Sequence, residues 1–254
     1  MEELHGKTAL VTGGAKRIGR RICLALASEG VNVALNYRRS KSEAEQTVKE
    51  IESNGVRAAA IHADLTDLAS CDGLIRQCRE SLGGVDILVN NASEFTRTRL
   101  EDLAKDPEKF EQLFSSLVNL HVRAPLYLGL KLGLEMKAKG WGRIVNITDR
   151  VTIKGQAYRN WILYLVTKYG LYGVNQTLAE ELKPEVTVNA IAPGITLPPE
   201  DLGTEQLQKI RAGLPLKHEA DPDEIASDVI HLVRSRSKTG SVILTDSGAG
   251  VHTY

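Results

Sequence analysis

Thr8-Ala9-Leu10-Val11-Thr12-Gly13-Gly14-Ala15-Lys16-Arg17-Ile18-Gly19 is a short apolar run that breaks into a glycine-bearing turn and then passes into an amphipathic pattern. A four-residue apolar run is of strand length, and the residues after the turn have helical periodicity. Gly13 permits a tight turn, and Gly19 lets the next helix pack close to the strand. The free N–H groups at a helix start form a natural seat for phosphate. Outward from this stretch, further apolar runs at 31–36, 58–62, 87–89, 144–147, 186–191 and 242–244 predict strands. Amphipathic segments such as 22–28, 43–52 and 68–81 predict helices between them. Strands separated by helices imply right-handed crossovers and a parallel sheet covered on both faces. The expected fold is therefore α/β, a doubly wound Rossmann-type sheet in one domain spanning residues 1–254, with its ligand crevice beyond the C-terminal strand ends.

Composition limits the function classes. With 32 Lys+Arg against 32 Asp+Glu the formal net charge is zero, and no helix carries a continuous basic stripe. Nucleic acid and anionic membrane are thus not expected partners. Cys23, Cys71 and Cys78 form no Cys-x-x-Cys pair, and no His/Cys cluster has zinc spacing, so no metal site is expected. Free thiols, a start without a long apolar stretch and the absence of any run of membrane-spanning length lead to the expectation of a soluble, cytoplasmic protein.

The end of the second predicted strand narrows the cofactor. Dinucleotide enzymes that use NAD commonly place an acidic residue there for the ribose hydroxyls, whereas Tyr37-Arg38-Arg39-Ser40 offers two guanidinium groups and a hydroxyl. Those groups suit a 2′-phosphate, and Arg17 in the turn adds a third cation, so NADPH is expected over NADH. Asp64-Leu65, after the third strand, is placed to accept from the adenine amino group. Asp64 could instead cap the following helix, for which Asp67 is the better candidate. Asn90-Asn91-Ala92-Ser93 follows the fourth strand, where small polar residues can bond backbone and ribose without blocking the cofactor.

Downstream, Tyr164 and Lys168 are four residues apart in Tyr-Leu-Val-Thr-Lys. On a helix such a pair shares one face. The ammonium can then favour the phenolate and poise it to exchange a proton near neutral pH.

Taken together and in order, Thr12 to Gly19, Asp64, Asn90 to Ala92, Asn119, Tyr164/Lys168 and Pro193-Gly194 resemble the short-chain dehydrogenase/reductase family over nearly the whole chain. The resemblance implies a catalytic set of Asn119, Tyr164 and Lys168, with Asn119 perturbing its helix and holding a water that links Lys168 to solvent. It implies cofactor contacts from Gly13, Arg17, Ile18, Gly19, Asn91, Ala92, Tyr164, Lys168, Pro193, Gly194 and Ile195. The family's usual catalytic serine is missing, and Asp149 stands in its place. With Arg17 where the middle glycine is usual, Tyr37 to Ser40, and Asn91-Ala92-Ser93 followed by Phe95, the chain looks most like the pteridine reductases of that family. By that resemblance Ser93 bonds a pterin, Phe95 holds the ring against nicotinamide, and Asp149 and Tyr164 also contact substrate.

One departure lies between Asp149 and Tyr164. That segment is longer than the family's usual spacing, with Tyr158, Trp161 and Ile162 crowding the approach. Tyr158 is a rival proton donor, but the residue four on is Ile162, so it lacks an activating lysine. His62 and His121 read as structural residues. The stretch from about 195 to 215 reads as a loop and helix that cover the substrate. The expected activity is NADPH-dependent reduction of a pterin or dihydrofolate-like substrate. The alternatives are reduction of a 3-oxoacyl or other ketone, and a non-catalytic NADPH sensor. The resemblance also implies a homotetramer built on the long helices from about Glu108 and Tyr164 onward.

Overall fold

In the computed structural model, which describes residues 2–155, 157, 159–197 and 204–251, seven strands form one parallel sheet. They are β1 (Thr8–Val11), β2 (Asn32–Tyr37), β3 (Ala58–His62), β4 (Ile87–Asn90), β5 (Gly142–Ile147), β6 (Val186–Pro193) and β7 (Val242–Thr245), in the order β3-β2-β1-β4-β5-β6-β7. The register pairs Leu10 with Ala34 on one side and with Leu88 on the other. The first half of the sheet winds outward from β1 to β3 and the second outward from β4 to β7. The order of winding therefore reverses between the parallel neighbours β1 and β4, the place where such sheets open a ligand crevice.

The helices are α1 (Arg17–Ser28), α2 (Lys41–Glu52), α3 (Leu68–Leu82), α4 (Leu100–Lys105), α5 (Pro107–Val118), α6 (Ala124–Ala138), α7 (Val151–Lys154), α8 (Ile162–Glu181), α9 (Thr204–Gly213) and α10 (Pro222–Arg234). One apolar core lies between the sheet and α3, α6 and α8, and holds Leu74, Leu128, Ile144 and Leu178. The other lies under α1, α2 and α10, and holds Ile22, Ile51, Val145 and Val229. Both faces of the sheet are thus covered, as the uninterrupted apolar strands require. Among the described residues no helix is long and apolar enough to cross a membrane.

Element boundaries shift where chemistry overrides apolar pattern. β5 begins at Gly142 rather than at residue 144 because Arg143, though charged, is buried in the strand. Its guanidinium donates to Val233 C=O at 3.0 Å and Gly142 C=O at 2.7 Å, and lies 4.4 Å from the Trp141 ring centroid. α1 begins at Arg17, five residues before the apolar pattern at Ile22 declares it. Asp67, not Asp64, caps α3, accepting from Ser70 N–H at 2.8 Å. α5 and α6 form one rod interrupted by a π-helical turn, Asn119–Arg123, so Asn119 sits on a local widening rather than in a regular helix.

Candidate active site

All the predicted site residues on strand ends lie at one edge of the sheet, because every strand runs the same way and its C-terminal end faces that edge. β1 delivers the glycine turn, β2 the arginines, β3 Asp64, β4 Asn91 to Phe95, β5 Asp149 and β6 Pro193 to Ile195.

The glycine turn is shaped by backbone demands. Gly13 has φ +62°, in the left-handed region that favours glycine. A Cβ on Gly14 would come within 2.7 Å of Leu35 Cβ, and one on Gly19 within 2.2 Å of Gly13 C=O. Arg17 is also left-handed, at φ +54°, although it has a side chain. Its guanidinium donates to Leu197 C=O, tying the turn to the chain beyond β6. No side chain caps the start of α1, so that helix end keeps its backbone donors open.

The turn is also laced to the loop after β4. Thr12 Oγ1 accepts from the N–H groups of Asn91 and Ala92, each at 3.0 Å, while Asn91 Nδ2 donates to Thr12 C=O at 2.9 Å and Gly13 C=O at 3.1 Å. At the end of β2, Arg38 lies 3.5 Å from Glu94 in a partly exposed pair, and Arg39 is exposed. Such an exposed pair contributes little and leaves Arg38 able to exchange partners. Ser40 stands at the start of α2 without a side-chain capping bond. Burial acts to raise the Asp64 carboxyl's pKa, but hydrogen bonds from Thr66 N–H and its hydroxyl, with Arg38 and Arg39 nearby, outweigh it and hold the carboxyl below its ordinary value. Leu65 beside it is buried.

The catalytic candidates meet on the other side of the crevice. The Tyr164 hydroxyl donates to Asp149 Oδ2 at 3.0 Å, and Asp149 Oδ1 accepts from Val151 N–H at 3.1 Å. Lys168, one helical turn on and 2% exposed, donates to Ile147 C=O at 2.9 Å, with Nζ 5.7 Å from the Tyr164 ring centroid. Burial pushes its pKa down from 10.5 to about 8, with a smaller opposing pull from Asp149. A buried ammonium, a carboxylate and a phenol therefore share one water-poor corner, where charges interact strongly.

Aromatic rings wall that corner. Phe95 is 54% exposed; it meets the Tyr164 ring edge-on at 4.8 Å and stacks with Trp161 at 5.0 Å. The lengthened segment before Tyr164 folds onto the Phe95 loop. Thr98 pairs with Trp161 in a parallel bridge, Thr98 N–H donates to Asn160 C=O at 2.6 Å, and Asn160 takes φ +69°. Trp161 Nε1 is buried and has no hydrogen-bond partner among the described residues, leaving a donor beside the exposed Phe95. Tyr158, the rival donor, lies outside the described residues, as do residues 198–203 of the covering stretch.

Residues 7–206 match the short chain dehydrogenase family. The chain belongs to that family. It is 34% identical over 251 residues to the 3-oxoacyl-acyl-carrier-protein reductase FabG of Staphylococcus epidermidis, covering 95% of this chain and 98% of the relative. Among solved structures it is similar to the FolM alternative dihydrofolate reductase 1 of Brucella canis complexed with NADP, with a TM-score of 0.89, 32% identity and coverage of 99% and 97%. The Brucella suis protein of the same name, also in complex with NADP, has a TM-score of 0.87 and 33% identity, covering 98% of this chain and 96% of its own.

The residues expected to act together, Asp149, Tyr164, Lys168, Ser93 and Phe95, surround one corner, and Asn119 stands on the neighbouring π-helical turn. Pro193, Gly194 and Ile195 close the crevice on the β6 side, where a Cβ on Gly194 would meet Asp246 Cα at 2.8 Å. His62 is exposed, with Nε2 3.1 Å from Arg38 C=O and its ring edge-on to Tyr37 at 5.5 Å. His121 is 1% exposed, meets the Tyr164 ring edge-on at 5.7 Å, and bonds groups on both the Phe95 loop and α8. Its neighbours Leu120 and Val122 make it read as a packed helix residue, and only the tertiary contacts distinguish it.

Proposed function

We propose that this chain is an NADPH-dependent reductase of a pterin or dihydrofolate-like ring. The observation that carries the reading is the Tyr164 hydroxyl bonded to a carboxylate, Asp149, next to an exposed Phe95. A serine in that place could donate to a ketone oxygen. An ionised carboxylate only accepts, so it suits a flat ring that brings its own N–H groups. The two Brucella relatives named alternative dihydrofolate reductase support the same assignment.

The residues fit the dinucleotide. The uncapped start of α1, with Ile18 and Gly19, and the left-handed Gly13 would hold the pyrophosphate. Arg17, Arg38, Arg39 and Ser40 would take the 2′-phosphate, Tyr37 would flank it, and Asp64 and Leu65 would receive the adenine. Asn91, Ala92 and Lys168 would bond ribose, and Pro193, Gly194 and Ile195 the carboxamide. When bound, the nicotinamide supplies the hydride.

The chain's own residues manage the proton and the ring. To protonate the ring, the Tyr164 hydroxyl would turn its proton from Asp149 Oδ2 to the nitrogen of the reduced C=N bond. The phenolate left behind would face the Asp149 carboxylate at hydrogen-bond distance, a like-charge contact that the Lys168 ammonium offsets. Asn119, on the π-helical turn, completes the path by which the proton is replaced. Phe95 and Ser93 hold the ring, and the described parts of the covering stretch, residues 195–197 and 204–215, would help exclude water from it. A homotetramer accords with the apolar Leu130 and Leu134 on α6 and Val166 and Tyr169 on α8, which are exposed in the single chain.

A second reading, reduction of a 3-oxoacyl thioester, is favoured by the identity to the Staphylococcus reductase over nearly both full lengths. Steady-state NADPH oxidation with a dihydropterin, dihydrofolate, an acetoacetyl thioester and a simple diketone separates the two. The pterin reading predicts turnover of the first pair. Efficient reduction of the thioester with none of either ring would replace it by the second reading. NADPH binding without turnover of any substrate would leave a sensor.

A further inference from the structure

His121 joins three segments that the reaction needs in register: the loop after β4, the π-helical turn and α8. Its Nε2 lies 3.1 Å from both Ser93 Oγ and Glu94 N, and its Nδ1 lies 2.8 Å from Thr167 Oγ1. The Thr167 hydroxyl lies 2.8 Å from Tyr164 C=O. Both ends of this chain of bonds are backbone groups whose roles cannot change. Glu94 N–H can only donate, so Nε2 must be the bare, accepting nitrogen. Tyr164 C=O can only accept, so Thr167 donates to it and takes its own bond from Nδ1–H. The two ends demand the same tautomer independently. Burial, with Lys168 nearby, holds the His121 pKa well below 6.5, so the ring is neutral as this arrangement requires.

The consequence falls on Ser93. Facing a nitrogen that only accepts, its hydroxyl points its proton inward and shares the Nε2 lone pair with Glu94 N–H in a three-centre bond, although the residue itself is exposed. What Ser93 then turns to the crevice is lone pairs. We infer that His121 is a positioning and specificity-determining residue that fixes Ser93 as a hydrogen-bond acceptor, so that the site selects substrates presenting an N–H or amino donor there and disfavours those presenting only a carbonyl. The inference rests on the proposal that Ser93 faces the substrate, and it deepens that reading. It names a polarity filter, set by a buried histidine behind Ser93.

Two measurements test it. The first needs no substrate: long-range ¹H–¹⁵N correlation spectra of the wild-type protein, with the His121 signals assigned by their loss in His121→Gln. The expected pattern is a neutral ring protonated at Nδ1 and bare at Nε2. A ring protonated at Nε2 would overturn the inference. The second is a kinetic cycle of His121→Phe, Ser93→Ala and the double variant, using a dihydropterin and NADPH. His121→Phe should raise the dihydropterin KM by about threefold to tenfold, the range for loss of one oriented hydrogen bond, with kcat nearly unchanged. In the double variant the two effects should not add, because His121 acts through Ser93. His121→Gln, whose amide oxygen can accept where Nε2 does, should restore most of the wild-type KM. An unchanged KM in His121→Phe, or fully additive effects, would overturn the inference. If the wild type turned over no pterin at all, the proposed function would fail instead, while the spectra would still decide the tautomer.

Discussion

Replacing Lys168 by Met should make the ligand-free protein more stable, and by an amount that depends on pH. In the native fold burial lowers the lysine from 10.5 to about 8. The unfolded chain therefore holds this proton to higher pH than the folded one, and folding is penalised while the group is charged. The penalty is fully present below about pH 8 and is relieved as pH rises toward 10.5. A fall of that size corresponds to about 3 kcal/mol at neutral pH, of which about 2 kcal/mol is recovered between about pH 7 and about pH 9.5. Met keeps the length of the side chain without the charge, so it does not titrate. Urea unfolding of wild type and Lys168→Met at the two pH values gives the stability advantage of the variant at each. That advantage should be larger at the lower pH by about 2 kcal/mol. A difference indistinguishable from zero, or of opposite sign, would mean that Lys168 titrates as an exposed lysine does and that its corner is not dry.

Other perturbations isolate the remaining parts of the site. Tyr164→Phe should lose on the order of 10²-fold or more in kcat while NADPH still binds, as for removal of a general acid; a mild effect, with Tyr158→Phe severe, would reassign the proton donor. Neutralising Arg38 and Arg39 should weaken NADPH but not NADH, since a charge-assisted bond contributes roughly 1.5–3 kcal/mol, and unchanged discrimination in titrations would refute the phosphate assignment. Phe95→Ala should raise the dihydropterin KM, through loss of roughly 0.5–1.5 kcal/mol of stacking and of buried area, and leave NADPH affinity intact. Asp149→Ser should lower dihydropterin turnover and admit diketones; parallel losses on both substrates would argue against a selective role.

Much of the fold was legible because each strand announces itself as an apolar run and each crossover as an amphipathic one. Alternation and the handedness of crossovers were enough to imply a parallel sheet covered on both faces. What the pattern concealed was charge made tolerable by tertiary partners. Arg143 hid the first residues of β5, because nothing local reveals that Val233 C=O waits ninety residues away. The grouping of the candidate residues was legible where spacing places side chains together, as for Tyr164 and Lys168 on one helix face, and where an unexpected residue type falls in a familiar place, as for Asp149. It was illegible where the candidate site is assembled by bonds between distant segments. His121 meets Ser93 across 28 positions and Thr167 across 46, and the Phe95–Trp161 stack depends on how a lengthened loop returns.

The lacing of Thr12 to Asn91 and Ala92 has a kinetic consequence. The turn that would seat the pyrophosphate and the loop that carries Ser93 and Phe95 are tied by four short hydrogen bonds, so they move as one piece. Settling the turn also settles the loop, and the second ligand then meets a wall already in place. The expected kinetics are of compulsory order: the dinucleotide enters first and leaves last, and the oxidised dinucleotide competes with NADPH but not with the ring substrate. A hydroxyl at the end of β1 would in this way set the sequence of events in the catalytic cycle.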